Sequence, residues 1–226
     1  MKIEMHSHIM EQSSDSQISA TDYIYLLKEY GYKGIVSTDH FLSGELARTE
    51  GDGFKEKCCS WLSGYYALLD AAEGNNILVL LGMEYTIEYV NKYTDILLYG
   101  LTEEMVMNGL IRPYMSPEEL RDICLNNDII MIQAHPERYG NHTLPVTFVD
   151  GYEIKNTKNR PHYTKDYNLI TQQFVKDNPQ LITIGGGDCH VITDVGKGGI
   201  NTYNDIKTMD DLKNTLRTGQ YDILSL

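Results

Sequence analysis

The segment MHSHIMEQSSD places His6 and His8 two residues apart. In extended backbone, residues i and i+2 project from the same side, so both imidazoles can reach one ion. A lone HxH is weak, because two histidines near a terminus are often incidental. Residues of the same chemistry recur along the chain: Asp39 and His40 in VSTDH, Glu84 in LLGMEYT, Asp95 opening DILLYG, His135 in IQAHPER, and Asp188 with His190 in IGGGDCH. Imidazole and carboxylate together suit Zn²⁺, Mn²⁺ or Fe²⁺. Carboxylates also bridge paired ions about 3.5–4 Å apart, the spacing of two-metal hydrolases. Singly, each residue has a plainer reading: Asp39–His40 as a cap or surface turn, Cys189 as filler between Asp188 and His190.

What joins these residues is their place relative to the elements. Short apolar runs bounded by Gly, Asn, Asp or Pro predict strands at Lys2–Met5, Gly34–Thr38, Ile77–Met83, Thr94–Tyr99, Ile129–Gln133, Val149–Ile154 and Leu181–Ile184. Helical spacing fills the intervals: Ala20–Tyr30 with Thr21 as its cap, Phe54–Ala72, a start at Ser116 in SPEEL, Lys165–Lys176, and Met209–Arg217 capped by Thr208. This alternation reads as a single α/β domain over residues 1–226 with a mostly parallel sheet. In such sheets the strand C-termini converge on one face, which holds the active site. His6 and His8, Asp39 and His40, Glu84, His135, and Asp188 with His190 all follow predicted strands. Five strand ends loaded with ionisable groups have no structural rationale, since burying them unpaired is costly. The glycine-bearing stretch Ser43–Gly53 reads as a loop.

The totals narrow the class. Hydrophobic residues make up 42% of the 226, enough for a core. No run is long enough for a membrane helix, and no basic-then-apolar leader is visible. The net charge of -13 argues against a non-specific nucleic-acid binder, which needs a basic footprint, but not against an anionic small substrate beside bound cations. Cys58, Cys59, Cys124 and Cys189 show neither CxxC spacing nor a disulfide framework, which predicts reduced thiols in the cytoplasm.

Taken together, the motifs resemble the PHP (polymerase and histidinol phosphatase) family over nearly the whole chain. MHSH is similar to its opening HxH. SSDSQISATDYIYLLKEYGYKGIVSTDH is similar to its Asp-containing turn, helix, strand and Asp-His; GMEYT, AHPER and GGDCH are similar to its later motifs. The resemblance implies a distorted (β/α)7 TIM-like barrel with two or three divalent ions (Zn, Mn or Fe) at the C-terminal ends of the strands. It implies one metal on His6, His8, Glu84 and Asp188, a second shared by Glu84, His135 and Asp95, and a third on His40, His190 and Asp15. Two departures bear on it: many members carry His where Asp95 stands, and Gly187 replaces a common Ser. Glu11 competes with Asp15, while Glu4 reads as structural.

The implied activity is phosphoric ester hydrolysis, histidinol-phosphatase-like, on a small-molecule phosphomonoester (histidinol phosphate, a nucleotide or another phosphate) attacked by a metal-bridged hydroxide; from the composition, no nucleic-acid-binding patch and no membrane partner are expected. Arg138, directly after a ligand motif, is read as a bidentate phosphate clamp. A salt bridge to Glu137 or another carboxylate is its competing role. EIKNTKNRPHY offers Lys155, Asn156, Lys158, Arg160 and His162 to a substrate, or forms a solvated loop. His142 and His162 are candidate proton donors to the leaving alcohol. Two other classes compete: a non-catalytic metal-binding module, disfavoured by the nearly full ligand set, and an amidohydrolase-type enzyme, disfavoured by the lack of an obvious strand lysine for carbamylation.

Overall fold

The computed structural model describes residues 1–41, 53–138, 141–158 and 166–224. Residues 43–52 of the predicted loop, together with Arg160, His162 and Lys165, lie outside the described residues.

In chain order, β1 (Lys2–Glu4) leads through α1 (Ala20–Glu29) to β2 (Tyr32–Ser37), and α2 (Phe54–Ala72) leads to β3 (Leu78–Tyr89). Next come β4 (Lys92–Tyr99), α3 (Glu103–Met107), α4 (Pro117–Asn126), β5 (Ile130–Gln133) and β6 (Gly151–Asn156). The chain continues through α5 (Tyr167–Lys176), β7 (Ile182–Gly186), β8 (Ile200–Thr202), α6 (Met209–Thr218) and β9 (Tyr221–Ile223). The helix signals resolve locally. Ser116 caps α4 by accepting from the Glu119 N–H at 3.1 Å, and Thr208 with Asp211 forms a capping box on α6. At α1 the cap is Ser19, not Thr21, because the Ser19 hydroxyl accepts from the Asp22 N–H at 3.1 Å.

The strands make one sheet ordered β7-β6-β5-β4-β3-β2-β1-β8-β9. It curls toward closure. Ser7 bridges Cys189 in parallel, and the Asp188 N–H donates to the His6 carbonyl at 2.8 Å, so the segments beyond β1 and β7 meet. This is the barrel-like α/β fold the motifs imply, but the sheet is mixed rather than mostly parallel. β4 runs antiparallel to both β3 and β5, and β8 runs antiparallel to β1 and β9. Three-residue strands such as β8 and β9 are too short to show a period. The β3–β4 hairpin turns through Val90 and Asn91, both at positive φ (51° and 58°). That is the left-handed pair a two-residue turn needs, without the Asn-Gly that advertises it.

One apolar cluster takes Ile3, Val36, Leu80, Leu97, Tyr99, Ile130, Ile132 and Ile184 from six of the strands, with Leu212 and Leu216 of α6 packed against them. The helices bury their other faces against the outside of the sheet, as at Trp61 and Leu62 of α2. At Gly199 the chain entering β8 runs close against β1. Its φ is +112°, and a Cβ there would lie 2.2 Å from the Ile3 carbonyl oxygen. Gly199→Ala is therefore expected to cost at least about 2 kcal/mol through left-handed strain and a displaced β1–β8 contact. A urea melt reads this, and an unchanged midpoint would refute the close approach.

Candidate metal centre

The nine predicted ligand residues come together at one end of the sheet. Two of them arrive by a route different from the one the strand pattern predicts. Glu84 does not follow β3; it lies within it, because the strand continues to Tyr89 as one arm of the hairpin. Asp95 sits near the beginning of β4. Since β4 is antiparallel to its neighbours, its beginning lies beside the ends of the parallel strands.

Glu84 is the hub. Its Oε1 lies 3.2 Å from His6 Nε2 and 3.1 Å from His135 Nε2. Its Oε2 lies 3.2 Å from His8 Nε2 and 2.9 Å from His40 Nδ1. Asp188 Oδ1 is 3.4 Å from His8 Nε2 and 3.7 Å from His6 Nε2. Asp95 reaches His135 at 3.8 Å. On the more open side, Asp15 lies 2.9 Å from His190 Nε2 and 3.8 Å from His40 Nε2. Glu11, the competitor of Asp15, instead accepts from the Ala20 N–H at the start of α1. Among the described residues, three groups have ligand atoms close enough to share an ion: His6, Glu84 and His135; His6, His8 and Asp188; and His8, His40 and His190.

This set fits divalent cations on its own chemistry. His6, His8 and Glu84 are fully buried. Yet His6 Nε2, His8 Nε2, His40 Nδ1 and Glu84 Oε2 have no hydrogen-bond partner of sound geometry. Lone pairs that converge from imidazole and carboxylate, buried and unsatisfied, are what a shared cation would satisfy. Some of the opposite ring nitrogens are held, though His135 Nδ1 also lacks a partner. His190 Nδ1–H donates to the Asp188 carbonyl at 2.9 Å, and His8 Nδ1 lies 3.4 Å from the Ser13 hydroxyl, which itself donates to Asp39. His135 and Asp188 also take positive φ, 29° and 48°. Non-glycine residues in such backbone cluster at functional sites.

The electrostatics follow from this crowding. Burial pulls His40 down, but the Glu84 carboxylate outweighs it and pushes the imidazole up to about 10. Burial likewise opposes the shift at His6, which Glu84, Glu153 and Asp188 hold well above its usual range. Burial would raise Glu84 and Asp188, but the imidazoles around the first and Arg138 beside the second hold both well below the carboxylate range. The stability consequence has a definite sign. His40 has a folded value above its unfolded one, so in the metal-free protein its contribution is complete below about pH 6.5 and fades as pH rises to about 10. Glu84 and Asp188 contribute above the ordinary carboxylate range and lose that contribution as pH falls. Metal-stripped protein is thus expected to become easier to unfold in urea between about pH 6.5 and about pH 10, while divalent-metal affinity rises over the same interval as protons leave the imidazoles. A flat or opposite trend would reject the charged cluster.

The other predicted residues divide. Arg138 is buried, with 7% of its surface exposed, and donates from Nη1 to Asp188 Oδ2 at 2.5 Å. Its carboxylate partner is therefore Asp188. Glu137 instead accepts from the Thr143 backbone and hydroxyl. His142 is exposed, held through its carbonyl by Gln133 at 2.7 Å, and its ring pairs with none of the nine among the described residues. The sequence reading overlooked Glu153 and offered Asn156 only to a substrate, yet both are buried beside the cluster. An acidic residue inside an otherwise strand-like run was the available signal. Glu4 accepts backbone N–H bonds from Met5, His6 and Gly187, and burial raises it to about 7.

Residues 176–221 match the PHP-associated family. No curated protein matches the sequence. Among solved structures, the whole chain superposes on 64% of a two-domain protein from Bacteroides vulgatus containing a predicted PHP-like metal-dependent phosphoesterase (TM-score 0.69, 14% identity). It also covers 94% of, and 94% of itself aligns with, a candidate metal-dependent phosphoesterase from Bifidobacterium adolescentis (TM-score 0.55, 13% identity). Endonuclease Q from Pyrococcus furiosus, a lesion-specific endonuclease, matches 98% of this chain over 57% of its own length (TM-score 0.60, 12% identity). This chain thus spans less than two thirds of the first and the last. Endonuclease Q has also been solved with a 27-mer duplex carrying an abasic lesion at the active site. That finding overturns the expectation of a small-molecule ester and no nucleic acid. Net charge is a property of the whole surface, whereas a phosphodiester meets the local field of a site, which bound cations invert. No described helix is long and apolar enough to cross a membrane.

Proposed function

We propose that this chain, whose motifs, PHP-associated segment and fold bear out the PHP resemblance, is a metal-dependent hydrolase of phosphoesters. The observation that carries the reading is Glu84, buried and facing four imidazoles, two on each oxygen. A carboxylate so placed is suited to bridge two cations, with His6 and His135 on one side and His8 and His40 on the other. Asp188 would complete the inner ligands and Asp95 would join His135, while Asp15 and His190, with His40 beside them, would serve a third position. Zn²⁺, Mn²⁺ and Fe²⁺ all suit this mixed nitrogen and oxygen set. When bound, such ions acidify water to a nucleophile near neutral pH and offset charge on the phosphoryl oxygens.

The chain's own groups do the rest. Ser13, Glu153 and the Asp188 carbonyl hold His8, His6 and His190 with their other ring nitrogens left to ligate. Arg138 neutralises Asp188 and brings a guanidinium beside the cluster, where it is placed to act as the phosphate clamp. His142, which is exposed, is assigned the exchange of a proton with a leaving alcohol from its place in the sequence after His135. Arg160 is assigned to substrate binding from its place in the sequence. Four free thiols accord with a reducing compartment such as the cytoplasm.

The test is a panel: an aryl phosphomonoester, histidinol phosphate, an aryl phosphodiester, and duplex DNA with an abasic lesion, each with Mn²⁺ and with Zn²⁺. Phosphate release or strand cleavage that vanishes with a chelator supports the reading and sorts its substrate. Metal binding without hydrolysis of any of the four supports the non-catalytic module instead. Chelation should also lower the unfolding temperature, since ion at about 100 times its Kd stabilises a folded site by about 2.7 kcal/mol. An unchanged melt after chelation would count against a bound ion.

A further inference from the structure

β6 is the strand of the barrel region between β5 and β7, and it supplies none of the nine ligand residues. It nevertheless sends two polar side chains inward. Glu153 is 1% exposed and Asn156 fully buried. They are three residues apart, so in a regular strand they would face opposite ways. The register with β7 shifts between Glu153 and Lys155, and the extra residue lets both point to the same side.

Glu153 Oε1 lies 3.1 Å from His6 Nδ1. Its Oε2 accepts from the His135 backbone N–H at 2.8 Å and from Asn156 Nδ2 at 2.9 Å. The same Asn156 Nδ2 lies 3.1 Å from Asp188 Oδ2. The room for this is made by Gly186, where a Cβ would fall 2.2 Å from Glu153 Oε1 and 2.5 Å from His6 Cβ. His6 belongs to two of the three ligand groups, and His135 and Asp188 complete them.

We infer that Glu153 and Asn156 form a positioning pair that sets the His6 tautomer and locks His6, His135 and Asp188 into one arrangement. The inference rests on the metal-centre reading above. With Nδ1–H donated to Glu153, the Nε2 lone pair of His6 is turned to the ion, and the carboxylate raises its basicity. Both oxygens of Glu153 receive donors, so an amide cannot replace it: one end of a glutamine would present N–H to N–H. Asn156 carries the arrangement across to Asp188, and through it to Arg138.

Two measurements test this. Titration of metal-stripped protein with Zn²⁺ compares the wild type with Glu153→Gln and Asn156→Ala. Each variant is expected to bind about 10- to 100-fold more weakly, the scale for partners that orient metal ligands. In parallel, ¹⁵N spectra of the Zn-loaded wild type should show His6 protonated at Nδ1, a readout that needs no variant to fold and that a merely structural carboxylate would not determine. If the wild type binds Zn²⁺ and both variants match its affinity, or if His6 carries its proton at Nε2, the positioning role is wrong and the centre stands. If the wild type binds no divalent ion, the centre itself is wrong and the inference falls with it.

Discussion

Glu84→Gln is expected to lower phosphoester hydrolysis by at least about 10²–10³-fold, the scale of losing one preorganised group at the reacting centre. Bound metal should fall in the same preparation. The reason is geometric. Among the described residues, Glu84 is the one carboxylate placed against His6, His8, His40 and His135 together. A neutral amide removes the charge that a pair of cations would share, and turns an N–H toward two of the imidazoles. The substitution changes neither volume nor strand propensity greatly, so far-UV dichroism should match the wild type. Near-normal turnover with unchanged metal content would sink the bridging role of Glu84.

Arg138→Ala has the largest expected effect on stability. Its guanidinium and the Asp188 carboxylate are 9% and 2% exposed as side chains, and they pair at 2.5 Å. Removing one partner leaves the other charge buried without its main counter-ion, which costs about 3–5 kcal/mol. For a chain of this length that is a drop of roughly 10 °C in unfolding temperature. The loss should be largest in metal-stripped protein and shrink on loading, because a cation beside Asp188 restores positive charge. A metal-free melt that does not move would refute the buried pair. The same variant separates the two roles of Arg138. A raised KM in the loaded enzyme marks substrate contact, whereas an unchanged KM leaves Arg138 with the ion pair alone.

Much of the centre was legible because metal chemistry restricts residue type. His6, His8, His135, Asp188 and His190 each follow a short apolar run, and a strand end is recognisable from local pattern. Helix boundaries were legible for the same local reason, as at Ser116 and Thr208, whose hydroxyls satisfy N–H groups three residues on. What failed was what depends on pairing. The direction of β4 is not written in its own residues; an apolar strand reads alike in either sense. So Asp95 was found by type, while its route into the site came from the antiparallel turn at Val90 and Asn91. Glu84 was placed after a strand that in fact carries it, since the far half of β3 is stabilised by β4 rather than by an intrinsic pattern.

By itself, then, the sequence determined the residue types of the candidate centre, the α/β alternation and the PHP resemblance, because these rest on side-chain chemistry and short-range periodicity. The tertiary structure decided which carboxylate stands at the hub, that Arg138 pairs with Asp188 rather than Glu137, and that Glu153 and Asn156 lie inside. Each of these depends on contacts between residues distant in the chain, or on a one-residue register shift in β6, and neither leaves a mark on local composition. Charge marks the same boundary. The total of -13 was readable at once, but what a site will bind depends on the local field that folding assembles.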